Sequence, residues 1–278
     1  MKRLSKLFFS LLFLGGTLSG YGQMKVMTYN IKYANENDGE NSWSFRKEHL
    51  RNQVAFYEPD ILGVQEAQLV QLKFLLQGLP DYDFSGVGRD GQNKGEYTAI
   101  FYNKKKYQLI EEGTFWLSET PEIVSKGWDA AYPRICTYIL LKDLVTGDKF
   151  FVFNTHFDHV GDRAREESTR LIISKIDELN KENLPFILMG DFNLEPETSE
   201  IKLLSGKMDD SKRIAKLVFG PEGTFNTYNF TEPVTRRIDY IFTSQGDFEI
   251  LKYGVLSDSY DLKYPSDHLP VLVQLKLK

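Results

Sequence analysis

Pro185-Phe186-Ile187-Leu188-Met189-Gly190-Asp191-Phe192-Asn193 (PFILMGDFN) is the stretch whose reading decides the fold. Its first five residues are a continuous apolar run of strand length, the pattern of a strand buried in the interior of a layered domain. The run ends on Gly190-Asp191, so a carboxylate is delivered at the tip of a rigid element. Polar side chains at such tips are held by the sheet while the loop edge stays open to substrate.

The same grammar recurs outward from this point. Upstream, Lys149 to Asn154 (KFFVFN) delivers Thr155-His156-Phe157-Asp158-His159, and Arg165 to Leu179 is a charged amphipathic helix. Downstream, Arg237 to Thr243 carries Asp239, and Ser266-Asp267-His268-Leu269-Pro270 runs into the strand Leu269 to Leu277. In the first half, Lys25 to Ile31 is a strand containing Asn30, and Ser44 to Tyr57 is a helix closed by Pro59. Ile61 to Val64 is a short buried strand leading into Gln65-Glu66-Ala67, and Gln68 to Leu79 is a second helix. From Tyr82 to Leu141 the pattern turns to β, with strands expected at Tyr97 to Tyr102, Tyr107 to Leu117 and Ile135 to Leu141. Helices alternating with buried strands in each half, around a β-rich middle, predict a mixed α/β domain with helices covering the sheets.

Residues 1–22 read as a secretory signal peptide, with Lys2, Arg3 and Lys6 before the apolar run Leu7 to Leu14 and small residues after it. That run is too short for a stable membrane span. Residues 23–278 then form a single domain, long enough to be stabilised by its core although the lone Cys136 excludes an internal disulfide. An exported protein, periplasmic or secreted, is expected, acting as a monomer. Removing three basic residues and no acid takes the formal charge from −5 to −8. An acidic balance argues against avid binding to duplex nucleic acid.

Three of the four histidines, His156, His159 and His268, lie inside these acidic words. Hydrolysis of a phosphoester needs an attacking water, neutralisation of charge on the phosphoryl oxygens and a stabilised leaving oxygen; a hard divalent cation on oxygen ligands supplies much of this. Asn30, Glu66, Asp191, Asn193, Asp239 and Asp267 offer such oxygens. There is no Cys/His cluster and no His-x-x-x-His spacing, so Mg²⁺ or Mn²⁺ is favoured over tetrahedral zinc. His268 is the candidate for handling a proton or pairing with the phosphate, its tautomer set by Asp239. His156 would hold a non-bridging oxygen from the opposite side. Asp191 would orient or activate the water, and Asn193 would donate to the phosphate.

Asn30, Glu66, His156, Asp191-x-Asn193, Asp239 and Asp267-His268, in this order across nearly the whole mature chain, resemble the endonuclease/exonuclease/phosphatase superfamily. The resemblance implies a deoxyribonuclease-like four-layered sandwich of two mixed β-sheets flanked by helices. It implies Mg²⁺ held mainly by Glu66, with help from Asn30 and Asp267, beside an Asp239/His268 pair. The segment Gly95 to Tyr102 is similar to the family's strand before its central hairpin, and Pro133-Arg134-Ile135-Cys136-Thr137 resembles a subgroup of secreted bacterial members. By this analogy Tyr97 and Arg134 are phosphate contacts. Asp158 is a candidate substrate contact, and His159 beside it either stiffens the loop or touches substrate. Phe225, in a loop similar to the family's aromatic substrate loop, either stacks on substrate or packs into the core, and Arg236 and Arg237 either meet a phosphate or are solvated. His49 reads as a surface residue.

The expected function is therefore that of an exported metal-dependent phosphodiesterase, nuclease or phosphatase. Its substrate would be a soluble phosphorylated metabolite, a nucleic acid or a phospholipid headgroup. A nuclease should present a basic groove and a sphingomyelinase an exposed apolar hairpin, and neither signal is evident; a small soluble phosphoester suits the charge. The alternative is a non-catalytic relative that binds a ligand or partner. Such a protein should have lost Glu66, Asp191 or His268, and this chain keeps all three.

Overall fold

The computed structural model of the protein describes residues 22–278. The leader expected at 1–22 therefore lies, but for Gly22, outside the described residues.

Two mixed sheets face one another. The first half contributes β1 (Met24–Asn30), α1 (Trp43–Tyr57), β2 (Ile61–Gln65), α2 (Leu69–Gly78), β3 (Tyr82–Ser85) and β4 (Ile100–Asn103). The middle contributes β5 (Tyr107–Trp116), β6 (Ile135–Asp143), β7 (Lys149–His156), α3 (Asp162–Leu179) and β8 (Phe186–Asp191). There follow α4 (Ser199–Lys207), β9 (Met208–Asp210), α5 (Ser211–Ile214), β10 (Val218–Phe219), β11 (Asp239–Ser244), β12 (Phe248–Val255) and β13 (Val271–Leu277). One sheet runs β10-β12-β13-β1-β2-β4-β3 and the other β5-β6-β7-β8-β11-β9.

Side-chain alternation along the strands builds three apolar layers. Val26, Ile61, Val152, Ile187, Met189, Ile241 and Val273 meet between the sheets. The opposite face of β1 and β2, through Met27, Tyr29, Leu62 and Val64, packs on Leu50 and Val54 of α1 and Leu72 and Leu75 of α2. The outer face of the second sheet, through Phe151, Phe153, Leu188 and Phe242, packs on Ile172 and Ile176 of α3 and Ile201 and Leu204 of α4. The result is the expected four-layered sandwich. Among the described residues no helix is long and apolar enough to cross a membrane.

Each sheet has one central parallel pair, β1 with β2 and β7 with β8. The neighbours β13 and β11 run antiparallel to these pairs. Consequently the carboxyl ends of β1, β2, β7 and β8 and the amino ends of β11 and β13 all open on one edge of the molecule.

The strand expected at Tyr97 to Tyr102 is shorter. Pairing with β2 begins at Ile100, whereas Tyr97 makes isolated bridges to Ala67 and Gly88 because the chain there is still leaving a tight loop. β12 and α4 were not expected. In β12 a bulge between Ile250 and Lys252 breaks the period-2 pattern, and α4 is a polar nine-residue helix burying only Ile201 and Leu204.

Candidate active site

The polar words of the sequence meet at this common edge. β1 ends on Asn30, paired with Gln65, the last residue of β2, so Glu66 is the next residue out. β7 ends on His156 opposite Asp191, the last residue of β8, and Asp191 in turn faces Asp239, the first residue of β11. Asp267 and His268 lie just before β13.

Local backbone geometry turns these side chains into the cleft. Gly190 has φ +149, and a Cβ there would stand 2.1 Å from the Thr155 carbonyl oxygen, so only glycine brings the two strands together next to Asp191. Glu66 and Asn193 both adopt left-handed conformations, φ 59 and φ 51. The Asp191 carboxylate stabilises the second by accepting from the Asn193 N–H at 2.9 Å. Beneath the cleft, Gln65 Nε2 donates to Asn154 Oδ1 at 2.7 Å, and Asn154 Nδ2 donates to the carbonyls of Val64 and Ala99. These buried bonds tie the sheets together one or two residues from Glu66 and His156.

One wall is acidic. Glu66 and Asp267 share the Lys32 ammonium, at 3.8 and 3.4 Å. Asn30 Nδ2 donates to Glu66 Oε1 at 3.1 Å and to Asp191 Oδ2 at 3.0 Å, while its Oδ1 accepts from the Lys32 N–H. Burial would raise the Glu66 carboxyl, but Lys32, His268 and Asn30 together hold it below the ordinary glutamate range. Underneath lies Arg46, fully buried, with its guanidinium spent on the carbonyls of Ile31, Lys32, Tyr33, Asn41 and Pro265. It fastens the Asn30–Tyr33 turn to the Pro265–Asp267 turn.

The floor is a histidine between two carboxylates. His268 Nδ1 is 2.9 Å from Asp239 Oδ2, and Nε2 is 3.8 Å from Asp191 Oδ2. Burial alone would neutralise this imidazole, yet the charges of Asp239 and Asp191 outweigh it and push the pKa up to about 10. Burial and the Asp239 charge raise Asp191 to about 7. Asp191, Asp239 and His268 offer ligand atoms that all lie within 4.8 Å of one another, a cluster with the makings of a metal site. Thr224 Oγ1 anchors it from behind by accepting from the backbone N–H groups of Ile238 and Asp239.

The other wall is cationic. Arg134, buried, has Nη1 at 3.1 and 3.2 Å from the two ring nitrogens of His156, Nη2 at 3.1 Å from His159 Nδ1, and Nε at 3.2 Å from Asp158 Oδ1. Burial and the Arg134 charge keep His156 well below the usual histidine pKa, so it is a neutral acceptor. Asp158 also accepts from the N–H groups of Val160 and Gly161 at the start of α3. Those bonds and Arg134 overcome burial and hold its carboxyl at about 2.

Of the residues singled out in the sequence, Glu66, His156, Asp191, Asn193, Asp267, His268, Arg134 and Phe225 line one cleft of about 400 Å³. Asn30, Asp158 and Asp239 sit directly behind it. Phe225 is half-buried, its ring 4.9 Å from that of His268. Tyr97 is placed differently: it is buried with the α1/α2 core, and its hydroxyl meets Gln92 and Asn93 rather than the cleft. Arg237 is buried in a two-point pair with Asp210, and Arg236 reaches Glu195. His49 is exposed and stacks on Tyr260.

Lys32, Arg89, Glu96 and Tyr132 also line the cleft and had not been singled out. Lys32 stands two residues beyond the end of β1 in a left-handed conformation, φ 53, where strand alternation no longer applies, and nearness to Asn30 was its one available signal. The other three arrive from loops, where no period betrays them.

The profile of the endonuclease/exonuclease/phosphatase family matches residues 27–268. A mannosyl-6-phosphatase of Bacteroides thetaiotaomicron is 42% identical, with a TM-score of 0.88 over 91% of this chain and 99% of that one. An endonuclease/exonuclease/phosphatase family protein from the same organism is 40% identical, with a TM-score of 0.89 over 93% and 99%. The CCR4-Not complex 3'-5'-exoribonuclease subunit of Mycosarcoma maydis is 23% identical over 85% of this chain, which spans about half (46%) of that protein. A profile match across most of the chain, joined to strand ends that gather the polar residues noted in the sequence on one edge of a two-sheet sandwich, leads to one conclusion: this chain belongs to the endonuclease/exonuclease/phosphatase family.

Proposed function

We propose that this protein is an exported, divalent-metal-dependent phosphomonoesterase acting on a small soluble phosphorylated metabolite, a sugar phosphate being the class its 42% identical relative suggests. The observation that carries the reading is the pairing of the acidic Glu66/Asp267 wall with the cationic Arg134/His156 wall across a single cleft of about 400 Å³. A cleft of that size suits a small molecule. The net-acidic chain argues against a polyanionic strand.

The donor set fits a hard cation. Glu66 and Asp267 point oxygens at a common place where the Lys32 ammonium already stands in for positive charge. We favour these two as the residues that would hold Mg²⁺ or Mn²⁺, with Asn30 orienting Glu66, because His268 Nδ1 is already committed to Asp239. When bound, such an ion neutralises phosphoryl oxygens and steadies the leaving oxygen.

The chain's own residues do the rest. Arg134 and the cationic His268 bind non-bridging oxygens from two sides, and Asp239 keeps the His268 Nε2–H directed at the phosphate. Asp191, at hydrogen-bonding distance from Asn30 and Asn193, orients the attacking water and accepts its proton. His156, held by Arg134, closes the cleft beside Asp191 at 3.5 Å.

Phosphate release from sugar phosphates, nucleotides and bis-aryl phosphodiesters, with Mg²⁺ and with EDTA, tests the reading. Metal-dependent turnover of monoesters, abolished in His268→Ala, is expected. Absence of turnover on every phosphoester would instead favour a non-catalytic binding relative. Export is tested separately by N-terminal sequencing of the protein recovered outside the cytoplasm.

A further inference from the structure

We propose that Arg89, Glu96 and Tyr132 form a subsite that reads vicinal hydroxyls on the leaving alcohol, so that the preferred substrates are phosphoesters of polyhydroxylated, sugar-like alcohols. This inference rests on the phosphomonoesterase reading above. It assigns to named residues a task which that reading leaves open.

All three residues line the cleft, yet none belongs to the phosphate-binding set. Arg89 and Glu96 face each other within the loop between β3 and β4. There the Arg89 N–H donates to the Glu96 carbonyl at 2.9 Å, and Arg89 Nη1 donates to Glu96 Oε2 at 2.7 Å. The loop is anchored where Trp116 Nε1 donates to the Arg89 carbonyl at 2.7 Å, and Gly88 permits its close return, since a Cβ there would stand 1.9 Å from the Lys94 carbonyl oxygen. Tyr132 enters from the loop between β5 and β6. The Arg89 guanidinium lies 4.9 Å from its ring centroid, and His159 stacks against it at 6.2 Å.

The ion pair is half used. Among the described residues neither Glu96 Oε1 nor Arg89 Nη2 has a hydrogen-bond partner, and the Arg89 and Glu96 side chains, both lining the cleft, keep 13% and 18% of their surface exposed. A guanidinium N–H and a carboxylate oxygen left free in a cleft can exchange water for the hydroxyls of a ligand. An acceptor oxygen and a donor N–H carried by one ion pair match a diol, in which each hydroxyl both donates and accepts. The neutral pair gives a second phosphate, a polyphosphate or a nucleic acid strand no net attraction. Tyr132, 51% exposed, adds an aromatic surface for the C–H side of a sugar ring.

The test compares kcat/KM for hexose 6-phosphates, their deoxy analogues, cyclohexylmethyl phosphate and 4-nitrophenyl phosphate under Mg²⁺, in wild type, Glu96→Gln and Tyr132→Ala. Wild type should favour a hexose 6-phosphate over cyclohexylmethyl phosphate by at least ~100-fold, with single deoxy analogues in between. In Glu96→Gln the ratio of hexose 6-phosphate to 4-nitrophenyl phosphate turnover should fall by roughly 10- to 100-fold, mainly through KM. The deoxy series needs no variant and survives a misfolded one. Wild-type turnover of 4-nitrophenyl phosphate without preference for hydroxylated substrates would overturn the subsite alone. Loss of both activities in equal proportion in a folded Glu96→Gln protein would also overturn it. A wild type inert on every monoester would overturn the phosphomonoesterase reading, and the subsite with it.

Discussion

His268 and Asp239 are joined by a 2.9 Å bond between Nδ1 and Oδ2, with both side chains buried beneath the cleft. The carboxylate orients the ring and, with Asp191, keeps the imidazole charged although burial opposes it. Asp239→Asn should therefore lower kcat by ~10²–10⁴-fold. It should also bring the His268 pKa down from about 10. An NMR titration of the His268 ring, beside steady-state rates, checks both; a variant within threefold of wild type would refute the assigned role.

Glu66 and Asp267 together form the acidic wall, and Glu66→Gln removes charge from it while keeping shape. Titration calorimetry with Mn²⁺ should show affinity weaker by roughly 10- to 100-fold. Thermal stability of the metal-free protein should move little. Unchanged Mn²⁺ affinity would shift the metal site to the Asp191/Asp239/His268 cluster.

Gly190→Ala places a methyl against the Thr155 carbonyl at a φ that L residues avoid. We expect a loss of about 2–4 kcal/mol in urea unfolding. Equal stability would mean that β7 and β8 part easily at their tips.

Among the described residues Arg46 has carbonyl partners and no carboxylate. Arg46→Met orphans those carbonyls and frees two turns of the acidic wall, with an expected cost of ~3 kcal/mol or more. Chemical denaturation measures the cost. Hydrogen exchange should localise the loosening to residues 31–33 and 265–267.

Asp158 is held at about 2 against an ordinary 3.8. A depressed carboxylate pKa stabilises the fold fully above the unfolded value and loses that contribution as pH falls through the folded one. Wild type should thus lose stability relative to Asp158→Asn between about pH 4 and pH 2. Parallel curves over that interval would contradict the Arg134 and α3 contacts.

Legibility in the sequence followed periodicity. Phe186 to Asp191 and Lys149 to His156 announce buried strands because interior strands are apolar throughout, and Asp191 and His156 stood out as polar residues where each run stops. Phe248 to Val255 stayed hidden behind its bulge. Tyr97 looked like a phosphate contact through its neighbours in sequence, but its hydroxyl turns toward Gln92 and Asn93 because strand pairing does not begin until Ile100.

The sequence by itself determined the layered α/β class, the family and the identity of the groups at the strand tips, since these depend on local patterns and on residue order. Only the tertiary structure decided which tips converge, that Arg134 joins His156 to Asp158, that Arg237 turns away to Asp210, and that Arg89, Glu96 and Tyr132 complete the cleft. The reason is physical: loop residues carry no period, and a contact such as that of Asn30 with Asp191, 161 positions apart, is set by strand register and sheet packing.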